Sequence, residues 1–182
     1  MPYAIVLTFD EESNHIITYI FRRFKNENIS PILHDVKMKP HITLSIYENI
    51  DINIVKERLL LFSIETKPFK IQISSIGYFP SEESVLFLNP KASIELLNFQ
   101  QKAYNLFKNF KTKSSPITWI PHCTLGINIQ MENLPRAIDI IKEEILITEE
   151  KPYYITGEAI SFVKFKRDPL KIDWWLDYKL KK

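Results

Sequence analysis

Two short segments of the sequence repeat the pattern Pro-His-x-Thr-Leu. The first runs from Pro40 to Leu44 and the second from Pro121 to Leu125, 81 positions further along the chain. Histidine, with an ordinary pKa near ~6.5, can give or take a proton at neutral pH. Threonine has a hydroxyl that can donate one hydrogen bond. The paired imidazoles and hydroxyls are therefore the residues whose chemistry needs explaining first.

Each copy of the pattern is bounded by apolar residues, which predicts a β-strand whose side chains alternate between two faces. In the first strand, His41 and Thr43 share one face, and their apolar neighbours point into a core. In the second strand, His122 and Thr124 share a face in the same manner, with Cys123 buried behind them. We predict that these two histidines and two threonines form one catalytic cleft.

Two imidazoles in one cleft can divide the work of general acid and general base. Cleavage of a phosphodiester requires that division, because one group takes a proton from the attacking oxygen and the other protonates the leaving oxygen. The threonine hydroxyls can donate hydrogen bonds to the non-bridging phosphate oxygens, where charge accumulates in the transition state. The scheme requires no cofactor and no metal, and the sequence contains no closely spaced zinc ligands such as His-x-x-x-His.

The structural interpretation of these residues is simpler. A single histidine on a strand is more often structural than catalytic, and threonine is a common strand residue. The repeat favours function, because two of only four histidines occupy equivalent positions in two copies of one pattern. The other two, His15 and His34, are interpreted as helix-surface and loop residues. Cys123 adjoins His122, but strand alternation places them on opposite faces, which argues against a Cys-His nucleophilic pair.

The composition is that of an ordinary globular protein, with 45% hydrophobic and 25% charged residues among 182. A net charge of +2 provides no polybasic surface for long nucleic acid, but it allows a small nucleotide or an RNA end as substrate. The single cysteine cannot form an intramolecular disulfide. With no signal peptide and no apolar run of roughly 20 residues, we expect a cytoplasmic location, no membrane association and no obligate protein partner.

The elements that position the motifs follow the same order twice. Strands are predicted at residues 3–9, 68–79, 85–88, 154–165 and 172–180, in addition to the two motif strands. Helices are predicted from Asp10, from Asp51 and over residues 133–147. A further helix is predicted after Asn89 and Pro90, which are typical of an N-cap followed by proline at the first helical position.

The two halves align beyond the motif. A shift of 81 positions places the apolar run Ala4–Leu7 on Val85–Leu88. We therefore predict an α+β fold with antiparallel sheets around a central cleft. Residues 1–182 form a single domain of two pseudo-symmetric lobes on this interpretation, with repeat halves at roughly residues 1–82 and 83–182.

Two His-x-Thr motifs on strands of a duplicated α+β fold resemble the 2H phosphoesterase superfamily, which includes LigT-like 2′-5′ RNA ligases and cyclic nucleotide phosphodiesterases. The segment Ile76–Pro80 is similar to a glycine-aromatic-proline stretch of LigT-like members. The resemblance implies metal-independent action on 2′,3′-cyclic phosphate or 2′-5′ phosphodiester linkages of RNA, through His41, Thr43, His122 and Thr124. It also implies that His122 is the base and His41 the acid in hydrolysis.

Two other functions are compatible with the sequence. One is a non-catalytic module that binds RNA or a nucleotide in the same cleft, and the other is a metal-dependent hydrolase. Phe79 and Tyr47 are candidates to flank the cleft and hold a base. Trp174 and Trp175 could stack on bases, although a closing β-hairpin that packs one indole inward explains them as well.

Overall fold

The computed structural model of the protein describes residues 1–80, 84–110, 112, 118–145, 147–148 and 152–181. Strands and helices are interleaved along the chain. The strands are β1 (Tyr3–Phe9), β2 (His41–Tyr47), β3 (Phe69–Phe79), β4 (Val85–Pro90), β5 (Cys123–Gly126), β6 (Tyr153–Lys166) and β7 (Lys171–Lys179). The helices are α1 (Glu11–Asn26), α2 (Ile32–Asp35), α3 (Ile52–Glu65), α4 (Ile94–Leu106) and α5 (Leu134–Glu144), the last preceded by a 3-10 turn at Met131–Asn133.

The seven strands form one sheet in which every strand pair is antiparallel. The strand order is β2-β1-β6-β3-β4-β5, and β7 also pairs with β6. The long strand β6 connects the parts: its first residues pair with β3, and its later residues pair with both β1 and β7. The prediction of an α+β fold with antiparallel strands is confirmed, and the strands belong to a single continuous sheet.

The pairing of β1 with β2 is repeated in the pairing of β4 with β5. The pairs Ile5↔Ser45, Val6↔Thr43 and Leu7↔Ile42 correspond at an offset of 81 positions to Leu86↔Gly126, Phe87↔Thr124 and Leu88↔Cys123. Each pairing also has a bulge at the same point, which leaves one extra residue, Leu44 or Leu125, without a partner. The shared register supports the interpretation of an internal repeat.

The third strand of each repeat, β3 or β6, pairs with the first strand of the other repeat. Strand β3, from the first repeat, pairs with β4, whereas β6, from the second repeat, pairs with β1. Each outer part of the sheet therefore contains strands from both repeats. The division into two lobes from residues 1–82 and 83–182 stays a prediction, and the exchange means that such lobes do not coincide with the sequence halves.

Helices pack on the sheet through apolar stripes. Helix α1 buries Ile17, Ile20, Phe21 and Phe24, and its N-terminus is capped by Asp10, which accepts a hydrogen bond from the Ser13 backbone at 3.1 Å. No helix in the described part of the chain has the length and apolar character to cross a membrane.

Three sequence predictions of local structure need correction. Asn89 and Pro90 end strand β4, and Ser93 caps α4 by accepting from the Leu96 backbone N–H at 3.2 Å. Asn89 cannot cap this helix because it lies in β4, five residues before α4 begins at Ile94, and its side-chain amide donates to Ser75 across the sheet. His34 lies on the short helix α2, not in a loop. Helix α5 ends at residue 144, because the backbone is extended at 145, and residue 146 lies outside the described residues.

Substitution of Cys123 tests the packing of the residues behind the motifs. It is fully buried in β5, and burial raises the pKa of its thiol to about 12. We expect Cys123→Ala to lower the free energy of unfolding by about 1 kcal/mol through lost packing, measured by urea denaturation. The wild-type thiol should react with an aromatic disulfide reagent only after urea unfolds the protein. Rapid labelling of the folded protein would show that the thiol is accessible.

Candidate active site

The two edges of the sheet meet at the motifs. Strands β2 and β5 stand at opposite ends of the strand order, yet they are in contact. The indole Nε1 of Trp119 donates a hydrogen bond of 2.8 Å to the backbone oxygen of Thr43. The backbone of His41 also lies close to the thiol of Cys123. The sheet therefore curls until its edge strands face each other, which brings the two copies of the repeated pattern together.

The predicted alternation is observed around both motifs. His41 and Thr43 are partly exposed, whereas Ile42 beside them is fully buried. His122 and Thr124 are likewise partly exposed, and the intervening Cys123 is fully buried. Each histidine thus shares its exposed face with its own threonine. The catalytic role of these four residues stays a prediction.

Both imidazoles are held by the same backbone contact. His41 Nδ1 lies 2.8 Å from the oxygen of Lys39, and His122 Nδ1 lies 2.8 Å from the oxygen of Ile120. A carbonyl only accepts hydrogen bonds, so Nδ1 carries a proton, and Nε2 of the neutral ring has a free lone pair. Within the described residues, neither Nε2 has a hydrogen-bond partner. Each Nε2 is therefore free to exchange a proton with a ligand.

The motif prolines help to explain this contact. Pro40 and Pro121 each stand between a histidine and the carbonyl that holds it. Proline fixes its own φ and restricts the preceding residue to extended conformations. Those restrictions limit the directions in which the preceding carbonyl can point. Proline therefore belongs in the repeated pattern for a structural reason.

The charge state of His41 is set by its surroundings. Burial by the surrounding protein is the largest effect and lowers the pKa of the imidazole, while the hydrogen bond to the Lys39 carbonyl raises it. The positive charge of protonated His122 lowers the pKa of His41 further. The two imidazoles are thus close enough to interact electrostatically, and His41 favours its neutral form in the free protein.

Aromatic rings pack edge-on against both histidines. The ring centroid of Trp175 lies 5.6 Å from that of His41. The centroids of Phe79 and Phe87 lie 5.4 and 5.5 Å from that of His122. Trp175 and Phe79 were candidates from the sequence, whereas Phe87 was predicted only as a residue of an apolar strand.

The other two aromatic candidates do not reach the site. Tyr47 is fully buried and packs against Phe107, so the hypothesis that it flanks the cleft is wrong. Trp174 packs against Phe162 and Tyr3. The hairpin thus turns one indole towards the core and the other towards His41.

A cavity of about 790 Å³ opens beside the motifs. His41, Thr43 and Thr124 contribute to its lining, whereas His122 does not and lies among the phenyl rings described above. The wall is largely apolar, and the turn between β6 and β7 supplies the charged residues Arg167 and Asp168. The other hairpin and strand residues in the wall include Ala4, Val6, Ile46, Val163, Phe165, Ile172 and Trp175. The space beside His41 therefore admits a group much larger than a phosphate.

Trp119 was missed by the sequence argument, and Gly77 was noted there only as part of the segment Ile76–Pro80. Trp119, which ties the motif segments together, occupies the position equivalent to Met38 at the repeat offset, so only the alignment of the halves singles it out. Gly77 has a steric role: a Cβ there would lie 2.3 Å from ring carbons of Phe87. Glycine therefore allows the Phe87 ring to reach His122.

Among the described residues, no group of three or more histidine, cysteine, aspartate or glutamate side chains is arranged to hold a metal ion.

The fold is α+β with one antiparallel sheet, and the two His-x-Thr motifs lie where the two edges of that sheet come into contact. The model of the 2′-5′ RNA ligase superfamily matches residues 19–169, and the chain belongs to this superfamily. No curated protein sequence matches it.

Solved structures have the same fold. The E. coli LigT structure complexed with 3′-AMP is 13% identical, with a TM-score of 0.58 and 100% of both chains covered. The protein TT0787 of Thermus thermophilus is 12% identical, with a TM-score of 0.57 and 100% of both chains covered. A further phosphoesterase is 14% identical, with a TM-score of 0.58, covering 99% of this chain and 98% of the other. These structures confirm the predicted LigT-like fold, and the family model confirms the predicted membership of the 2′-5′ RNA ligase superfamily.

Gly77 provides a test of the packing around His122. We expect Gly77→Ala to displace the Phe87 ring and to lower the free energy of unfolding by about 1–3 kcal/mol, as overpacking does. The ring protons of His122 should shift in the NMR spectrum, because the neighbouring phenyl ring moves. Gly157→Ala is the matched control, since its Cβ would meet only the flexible end of Leu7 at 3.0 Å. An unchanged His122 resonance in Gly77→Ala would contradict this role for the glycine.

Proposed function

We propose that the protein is a metal-independent phosphodiesterase that acts on 2′,3′-cyclic phosphate ends or 2′-5′ linkages of RNA. The catalytic residues on this proposal are His41, Thr43, His122 and Thr124. It depends on one observation: two imidazoles on adjoining motif segments are held alike by backbone carbonyls at Nδ1, with Nε2 free. Membership of the 2′-5′ RNA ligase superfamily supports the reaction class, and the LigT structure with 3′-AMP supports a nucleotide ligand.

Hydrolysis of a 2′,3′-cyclic phosphate requires both histidines in one step. A neutral imidazole takes a proton from water at Nε2 as the water oxygen bonds to phosphorus. A protonated imidazole gives its proton to the ribose oxygen as the phosphorus–oxygen bond breaks. The product is a phosphomonoester and a free ribose hydroxyl. The base ends protonated and the acid neutral, so proton exchange with solvent restores both.

The threonines complement the phosphate group. Thr43 and Thr124 both line the cavity, from opposite edge strands of the sheet. Their hydroxyls can donate to the two non-bridging oxygens, which gain negative charge in the transition state. The largely apolar wall beside His41 suits the nucleoside, and Arg167 at the β6–β7 turn suits a further phosphate of an RNA end.

The assignment of acid and base takes account of the bound phosphate. The resemblance to hydrolytic family members makes His122 the base and His41 the acid. The low pKa of His41 in the free protein favours its neutral form, which disfavours an acid. An anionic phosphodiester beside the ring raises the pKa of an imidazole. On our proposal, His41 therefore takes up its proton together with the substrate.

The rival function is a nucleotide-binding module without turnover. Both motifs are complete, which favours the enzyme. A panel of 2′,3′-cyclic nucleotides distinguishes the two, since an enzyme converts them to phosphomonoesters and a binding module only retains them.

Excess EDTA should leave turnover unchanged, whereas a metal-dependent hydrolase would lose activity.

The kinetic prediction concerns the histidines. His41→Ala and His122→Ala should each lower kcat by at least the ~10²-fold typical of losing a general acid or base. The double variant should lose less than the product of the two single losses, because both groups act on one transition state. Thr43→Val and Thr124→Val should have smaller effects, since each removes one hydrogen bond and keeps the shape. The measurement is steady-state hydrolysis of a 2′,3′-cyclic nucleotide, with kcat/KM following a bell-shaped pH profile.

Matched controls are available on helix α1. His15→Ala and Thr18→Val change residues outside the site and should leave kcat unchanged. Full activity in folded His41→Ala or His122→Ala would overturn the assignment of catalytic residues.

The proton uptake by His41 has its own test. NMR titration of the free protein should place the pKa of His41 below the ordinary value of 6.5. Saturating inorganic phosphate should raise the pKa of His41, because an adjacent anion stabilises the imidazolium. The exposed His15 serves as the internal control and should not respond. A pKa of His41 that is unaffected by bound phosphate would rule out proton uptake with substrate.

A further inference from the structure

The carboxylate of Asp177, on strand β7, accepts hydrogen bonds from three parts of the chain. Asp177 Oδ1 accepts hydrogen bonds of 2.7 Å from Ser161 Oγ and 2.7 Å from the indole Nε1 of Trp175. Asp177 Oδ2 accepts a hydrogen bond of 2.5 Å from Lys39 Nζ. The donors thus come from β6, from β7 and from the segment just before β2.

Two of these three donors also contact His41. The backbone oxygen of Lys39 accepts the hydrogen bond from His41 Nδ1 at 2.8 Å. The ring of Trp175 packs edge-on against the imidazole, with an angle of 70° between the ring planes. The ammonium group of Lys39 additionally lies 5.5 Å from the centre of the Trp175 ring. Asp177, Lys39, His41 and Trp175 therefore form a closed loop of contacts.

The carboxylate is ionised and anchored in the sheet. Burial raises the pKa of Asp177, but hydrogen bonds from Lys39, Ser161 and Trp175 and the charge of Lys39 outweigh it, so the pKa is lowered. Ser161 is fully buried and lies 3.1 Å from the hydroxyl of Thr8, a buried residue that pairs with His41 in the sheet. The anchor is therefore a part of the same sheet that supports the histidine.

We propose that Asp177 is a positioning residue for His41. Asp177 fixes Lys39, whose backbone oxygen holds Nδ1 of His41, and it fixes Trp175, whose ring packs against the imidazole. Together these two contacts set the direction in which Nε2 points. The inference rests on the proposed function, in which His41 Nε2 exchanges a proton with the substrate. Among the described residues, no carboxylate performs this task for His122, which packs against Phe79 and Phe87. The effect of Asp177 is therefore specific to one of the two histidines.

The central experiment compares two aspartates on the same strand. Asp177→Asn keeps the shape of the side chain but removes its charge. Asp173→Asn is the matched control: Asp173 pairs with Lys164 at 2.8 Å, and its side chain is 39% exposed, compared with 38% for Asp177. We expect Asp177→Asn to lower kcat by about tenfold with KM changed less than about twofold, since a misplaced catalytic group costs up to ~10²-fold. Asp173→Asn should leave both constants unchanged.

A purely structural role for Asp177 is distinguished by NMR. In Asp177→Asn, the ring resonances and the pKa of His41 should change, whereas the ring resonances of His122 should not. A general loss of stability would affect both histidines, and urea denaturation measures it separately. Unchanged kcat together with unchanged His41 resonances in Asp177→Asn would overturn the proposal.

A second variant tests the connection through Lys39. Lys39→Met keeps the backbone carbonyl that holds His41 but loses the ammonium group that binds Asp177. The double variant Asp177→Asn with Lys39→Met should lose no more activity than the more impaired single variant, since both act through one loop of contacts. Independent, multiplicative losses would mean that Asp177 does not act through Lys39.

The NMR readout also separates this proposal from the proposed function. If His41→Ala kept full activity, the proposed catalytic role would fail. The response of the His41 resonances to inorganic phosphate, in wild type and in Asp177→Asn, would still report whether Asp177 orients the ring. An identical phosphate response in both proteins, with identical His41 resonances, would reject the positioning role alone.

Discussion

The meeting of the two edge strands is the constraint on which the site depends. In an open sheet of this strand order, β2 and β5 would lie at opposite ends, and the two motifs would be far apart. The hydrogen bond from Trp119 to the Thr43 carbonyl and the buried packing of Cys123 hold the edges together. Edge strands also have unpaired backbone groups, and on β2 the carbonyls of Thr43 and Leu44 accept hydrogen bonds from the side chains of Trp119 and Gln100.

The repeated pattern contains the residues with the chemistry, and the residue just before it supplies the backbone carbonyl that holds each imidazole. Histidine and threonine face the cleft, the residues between them fill the core, and the proline orders the carbonyl that fixes the imidazole. Because the carbonyl that holds each Nδ1 is only two residues away, both motif segments hold their imidazoles by the same local contact. Differences between the histidines arise from their surroundings instead: a cluster of phenyl rings on one side, and a tryptophan with an ion pair on the other.

The sequence predicts what depends on local pattern and misses what depends on pairing between distant segments. Strand alternation correctly places His41, Thr43, His122 and Thr124 on exposed faces, and the repeat offset matches the register of the strand pairs. The exchange of β3 and β6 between repeats has no local signature, because the choice of a pairing partner does not alter the alternating pattern within a strand. Tyr47 was mistaken for a cleft residue because a strand pattern cannot show that Phe107, which follows α4, packs against it. Asp177 was missed because Lys39, which connects it to the His41 segment, is 138 residues away along the chain.

The position of β6 constrains the order in which the protein can assemble during synthesis. Strand β1 can pair with β2 once both have left the ribosome, but its other edge has no partner until residues 157–164 have been synthesised. Strand β3 similarly acquires its neighbour β6 only near the end of translation. Contacts between such distant segments form slowly, because a long loop must close before they contribute stability. A nascent chain that ends before β6 has two unsatisfied strand edges, and it is in this interval that the protein is most exposed to aggregation and to chaperone binding.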